Sequence, residues 1–88
     1  MKVIIHAYKD GRKLYFRGDH ELSGNMTLES VIKTIGEKMG EPLVEIVEDP
    51  SDYTIILLND KLIEFENDRT RIVTNEDTLK LFPQIAGG

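Results

Sequence analysis

The chain has 88 residues, 40% apolar and 31% charged, which is enough for one domain with one small core. It holds no cysteine, which excludes disulfides, cysteine nucleophiles and thiolate metal sites. A formal charge of −5 is opposite in sign to the clustered cations a nucleic-acid binder needs, and it favours a basic protein partner through steering.

Residues 2–9 alternate as a strand, with Val3, Ile5 and Ala7 on one face and Ile4, His6 and Tyr8 on the other. The start turns polar too soon for a secretory signal, and no run of eighteen apolar residues exists to span a membrane, so the expected location is the cytoplasm. Asp10-Gly11 is a two-residue hairpin signal, because a type I′ turn needs positive φ at both positions. The returning strand starts near Arg12 and carries Leu14, Phe16 and, after a bulge or bend at Gly18-Asp19, Leu22.

A helix is predicted over 27–39. Thr27 is its N-cap, Glu29 sits where the helix dipole favours an acid, and Met26 and Val31 occupy the positions of a hydrophobic staple. Leu28, Val31, Ile32, Ile35 and Met39 form one apolar stripe, and Gly40 and Pro42 end it. Gly36 weakens the helix interior and admits close packing.

Val44 to Val47 is predicted as a short extended piece, Asp49-Pro50-Ser51-Asp52 as a turn, and Tyr53 to Leu58 as a buried strand. Asn59-Asp60 turns the chain into a short extended segment at Leu62-Ile63. Glu64 to Arg71 is a polar surface loop, Ile72-Val73 a short apolar anchor, and Asn75-Glu76-Asp77 a turn. Thr78 to Phe82 is the last strand, stopped by Pro83.

One helix must cover one face of a mixed sheet, and the simplest closure sets the last strand parallel to the first through a right-handed crossover. The expected fold is therefore α+β, a ubiquitin-like β-grasp with one main helix. A body over 1–83 would be followed by a flexible tail over 84–88 ending in Gly87-Gly88. A carboxylate on a Gly-Gly stem enters a narrow cleft that any Cβ would crowd; the competing reading is a frayed terminus.

The run from Asn75 through Thr78-Leu79-Lys80-Leu81-Phe82-Pro83-Gln84-Ile85-Ala86-Gly87-Gly88 resembles the MoaD/ThiS family of ubiquitin-like sulfur carriers. Leu58-Asn59-Asp60-Lys61 and the helix entry Thr27-Leu28-Glu29-Ser30-Val31 are similar to that family too. The N-terminal third departs from MoaD-type subunits, carrying a longer Asp-Gly hairpin in place of an Arg-Glu-rich segment.

The resemblance implies a carrier rather than an enzyme. A ubiquitin-activating-type adenylyltransferase would use ATP to adenylate the Gly88 carboxylate, and a sulfur donor would displace AMP to leave a thiocarboxylate. The carrier would then deliver that sulfur inside a second enzyme, with the molybdopterin-synthase large subunit the leading candidate. The alternatives are sulfur transfer for thiamine or tRNA thiolation, and a protein modifier joined through Gly88 to lysines, since archaeal small ubiquitin-like modifiers share this ending. The tail Gln84 to Gly88 spans at most about 17 Å, which reaches a buried pocket. Phe82, Pro83, Ile85, Ala86 and Gly87 are the expected partner-binding residues.

By alternation Phe82 faces outward with Lys80, as a docking anchor beside the tail; the competing reading has it closing the bottom of the core. Ile4, His6 and Tyr8 lie on the same free face. His6 reads as an ordinary surface histidine. His6 and His20 are not at metal-ligand spacing, so no metal and no bound cofactor are expected. Glu45/Glu48 and Asp49/Asp52 read as solvated loop charges.

Overall fold

A computed structural model describes residues 1–49 and 54–83. Strands β1 (Lys2–Lys9) and β2 (Arg12–Asp19) form the expected hairpin, with Asp10 at φ 52° and Gly11 at φ 78° in the turn. Their register runs unbroken from Lys9↔Arg12 to Lys2↔Asp19, so the predicted bulge at Gly18-Asp19 is absent and Gly18 is an ordinary ladder position opposite Val3.

Met26–Thr27 form a two-residue strand, β3, and helix α1 follows at Leu28–Met39. Thr27 caps α1 as expected, its Oγ1 accepting from the Ser30 N–H at 3.1 Å. The Leu28 and Glu29 N–H groups donate to the carbonyls of Arg71 (2.8 Å) and Arg69 (3.0 Å), so tertiary contacts satisfy two orphan donors of the first turn. Gly40, at φ 72°, ends α1 in the left-handed region.

The segment after Pro42 corrects the expectation of an extended piece. Leu43–Glu48 form a helix, α2, with Leu43 and Ile46 buried against the core. The β-branched content of Val44, Ile46 and Val47 favours a strand, but burial of Leu43 and Ile46 three residues apart decides for helix. Gly36 makes this packing possible: a Cβ there would lie 2.7 Å from the Glu41 carbonyl oxygen and 3.2 Å from the Leu43 Cβ.

Strands β4 (Thr54–Leu58) and β5 (Lys61–Ile63) make a second hairpin, with Asn59 and Asp60 both at positive φ. The predicted loop from Glu64 to Arg71 contains a one-turn helix, α3 (Phe65–Asp68), because Phe65 turns inward and is 6% exposed. Ile72–Val73 form β6, antiparallel to β3, and Thr78–Pro83 form β7. Tyr53 and the turn residues Pro50, Ser51 and Asp52 lie outside the described residues, as does the tail over 84–88.

The main sheet has five strands in the order β2-β1-β7-β4-β5, with β7 parallel to β1 and antiparallel to β4. This is the ubiquitin-like β-grasp. Val3, Ile5, Ala7, Leu14, Ile56, Leu58, Leu79 and Leu81 face Leu28, Val31, Ile32 and Ile35 of α1 in one core. Asn59 pins the start of β7: its N–H donates to the Thr78 carbonyl, and its Oδ1 accepts from the Thr78 N–H, both at 2.9 Å. Its Nδ2 donates to Asp77 Oδ1, the first cause of the lowered Asp77 pKa, followed by the Thr74 N–H that Asp77 also accepts.

Candidate docking face at the end of the central strand

Leu79 and Leu81 are fully buried, so strict alternation puts Thr78, Lys80 and Phe82 on the opposite, helix-free face. Phe82 is half-buried there, not a core residue. Its ring stacks on that of His6, centroids 5.6 Å apart and planes 13° from parallel. His6 meets its cross-strand partner Tyr15 edge-on at 4.9 Å. His6 is therefore the middle ring of an aromatic row crossing β2, β1 and β7, which alternation alone did not reveal. A shallow cavity of about 320 Å³ opens beside the row, lined by His6, Ala7, Tyr8, Lys13, Phe82 and Pro83.

Of the predicted partner-binding residues, Phe82 and Pro83 are thus brought to one edge of this cavity. Ile85, Ala86, Gly87 and Gly88 lie outside the described residues. The same sheet face exposes Tyr15 (55%) and Leu62 (71%) and carries Lys13, Arg17 and Lys80, with Lys80 paired to Asp60 at 2.8 Å. Helices α1 to α3 carry Glu29, Glu37, Glu45, Glu48, Glu66 and Asp68 against Lys33 and Lys38. The expectation of a basic partner rested on total charge; the sheet face is locally cationic.

Two clusters escaped sequence reasoning. Arg69 donates to Glu29 of α1 (2.8 Å), Glu48 of α2 (2.7 Å) and Glu66 of α3 (3.1 Å), with its guanidinium 4.8 Å from the Phe65 ring centre. Glu48 is therefore an ion-pair partner rather than a solvated loop charge. The hydrogen bonds that Arg69 donates to Glu29 raise the Arg69 pKa and lower that of Glu29. The second cluster is His20, 3% exposed, whose Nδ1 accepts from Lys38 Nζ at 2.9 Å and whose carbonyl accepts from the Met1 ammonium at 3.0 Å. Burial, then the Lys38 charge, then the ammonium hold the His20 pKa below its usual value.

Among the described residues, no group of three or more His, Asp or Glu side chains is placed to hold a metal ion, and no helix is long and apolar enough to cross a membrane. The fold and this face define a β-grasp body with an aromatic row at the end of its central strand. The sequence model of the ThiS family matches residues 13–88, and the chain belongs to that family of small ubiquitin-like sulfur carriers. Its members are carriers rather than enzymes, acting with activating and sulfur-accepting enzymes. No curated protein matches the chain. Among solved structures, the solution structure of the Haloferax volcanii HVO 2177 protein is similar at 17% identity and a TM-score of 0.49, covering 100% of this chain and 87% of that one.

Proposed function

We propose that the chain carries sulfur on its C-terminal carboxylate. In the first step a Gly88 carboxylate oxygen attacks the α-phosphorus of ATP on an activating adenylyltransferase, and pyrophosphate leaves. In the second step a sulfur nucleophile attacks the acyl carbon, the C–S bond forms, and AMP departs with the C–O bond. With hydrosulfide as that nucleophile, the sulfur gives its proton to solvent as AMP leaves, and the product is a terminal thiocarboxylate. The observation that carries the reading is the aromatic row of Tyr15, His6 and Phe82 on the free sheet face, beside the segment leading to Gly87-Gly88. It supports docking of the folded body while the tail enters the partner. The body is 1–83 and the tail 84–88, with Pro83, Ile85, Ala86 and Gly87 reading the cleft and no cofactor bound by the carrier. The acceptor we assign is the molybdopterin precursor on the synthase large subunit, on the strength of the Phe82-Pro83 junction, in the cytoplasm, where a cysteine-free chain is at home.

The test is intact mass after incubation with ATP, a candidate activating enzyme and sulfide. The expected product gains one sulfur-for-oxygen exchange. Deleting Gly88 displaces the carboxylate by about 3.5 Å. A 1 Å misplacement already costs about a hundredfold, so adenylation and sulfur transfer should vanish while stability stays unchanged. Wild-type turnover from the deleted chain would refute the carrier reading. Conjugates to lysines in place of thiocarboxylate would favour a modifier.

A further inference from the structure

Among the described residues, strand β2 is an edge of the main sheet, and its eight residues leave one side of a ladder unpaired. Which amides are free follows from the register. In an antiparallel pair, hydrogen-bonded and non-hydrogen-bonded residue pairs alternate. The pair Met1 and His20 exchanges both bonds, from the His20 N–H to the Met1 carbonyl (2.8 Å) and from the Met1 ammonium to the His20 carbonyl (3.0 Å). Counting back through the register, Gly18, Phe16, Leu14 and Arg12 bond inward to β1. Lys13, Tyr15 and Arg17 therefore turn their N–H and C=O groups to the open side, and all three side chains are exposed.

Beside this edge, between β2 and the C-terminal end of α1, lies a groove of about 360 Å³. Its floor is Leu14, Phe16 and Met39, and its rim is Arg12, Lys13 and Lys38. Glu41, also on the rim, is neutralised by a bidentate pair with Arg12 at 3.0 and 3.1 Å. Among the described residues, no carboxylate pairs with Lys13, Arg17 or Lys38, and Lys38 donates to the neutral Nδ1 of His20.

We propose that β2 is a docking edge for an extended segment of a partner protein, added as a sixth strand, with the pattern acid–apolar–apolar–apolar–acid. The free ladder supplies main-chain hydrogen bonds, and alternate side chains supply specificity. On the outer face the two acids sit opposite Lys13 and Arg17 with the central apolar residue on Tyr15. On the other face the remaining two apolar side chains drop into the groove over Phe16 and Met39. A second copy of this chain does not fit: antiparallel pairing of two β2 strands centred on Tyr15 sets Lys13 of one against Arg17 of the other, and like charges directly opposite destabilise.

The probe is an acetylated, amidated peptide with the core Glu-Val-Ile-Val-Glu, titrated into the isotope-labelled full chain at low salt. The expected result is amide shifts centred on residues 12–19 and slowed hydrogen exchange at Lys13, Tyr15 and Arg17. The double variant Lys13→Glu/Arg17→Glu should bind about tenfold more weakly, because two favourable cross-strand charge pairs become like-charge pairs. A peptide with lysines in place of both glutamates should fail to bind the unmodified chain, an arm that does not depend on the variant folding. Equal binding of the two peptides, shifts centred on β5 or on the Phe82 end, absence of binding, or dimerisation through β2 without peptide would each overturn the proposal.

Discussion

Removal of the Phe82 ring separates docking from core packing. In Phe82→Ala the buried layer formed by Leu79 and Leu81 is untouched, since those side chains point to the other side of the sheet. What is lost is the stack on His6 at 5.6 Å and part of the cover over Ile55, its cross-strand partner. An aromatic pair is worth about 0.5–1.5 kcal/mol beyond area. With partial burial added, the expected loss of stability is about 1–2 kcal/mol, below the roughly 3–5 kcal/mol of a core Phe→Ala change. Affinity for the activating enzyme should fall by about 1–3 kcal/mol, the range of an interface anchor. That corresponds to roughly a five- to 150-fold rise in Kd. Urea unfolding and calorimetric binding, run on the same preparations, give both numbers. A stability loss above about 3 kcal/mol with unchanged affinity of the folded fraction would show that Phe82 serves the core and that the docking face is misassigned.

Gly36→Ala should destabilise although alanine favours helix by about 1 kcal/mol. Its Cβ would sit 2.7 Å from a backbone oxygen, tight enough for the upper end of overpacking, about 3 kcal/mol, which leaves a net loss of about 2 kcal/mol. The Tm should fall by roughly 8–16 °C, and a rise would show that the α1–α2 contact yields freely. His20 makes stability depend on pH. Its folded pKa is lowered, so below about 6.5 the unfolded chain takes up a proton that the native chain refuses. Stability should therefore fall as pH drops from that value towards the lowered folded pKa. His20→Gln should flatten that slope in urea titrations from pH 7.5 to 5, and an unchanged slope would assign it to another group.

The elements written in short-range chemistry were legible in the sequence. Asp10-Gly11 needs its turn, Thr27 caps the helix it precedes, and Leu79 and Leu81 alternate against Lys80. From these the parallel closure of β7 on β1 and the outward direction of Phe82 follow by geometry. Elements decided at a distance were not legible. Helix α2 is too short for a periodic stripe, and its β-branched residues point the wrong way until α1 presents a glycine for it to pack on. The β3–β6 bridge is two residues long on each side and is held where the Arg69 and Arg71 carbonyls meet the first turn of α1. Arg69 gathers acids from three segments, and His20 is buried by Lys38 and Met1, contacts that leave no spacing signal in the chain. The His6–Phe82 stack sits between, since it needs the β1–β7 register as well as the alternation.

The position of β7 in the sheet bears on how the protein withstands force. Residue Pro83 ends the middle strand, held by a parallel ladder to β1 on one side and an antiparallel ladder to β4 on the other. A pull along the C-terminal segment, as when it is drawn out of a tight cleft, runs along the strand axis. It loads both rows of hydrogen bonds in shear, so many bonds share the tension instead of opening one after another. A terminal segment attached to an edge strand would have one row to resist the same pull. The β-grasp order thus spreads a load applied at Pro83 over two ladders, and on the carrier function proposed above the body keeps its shape while the last residues are gripped and withdrawn.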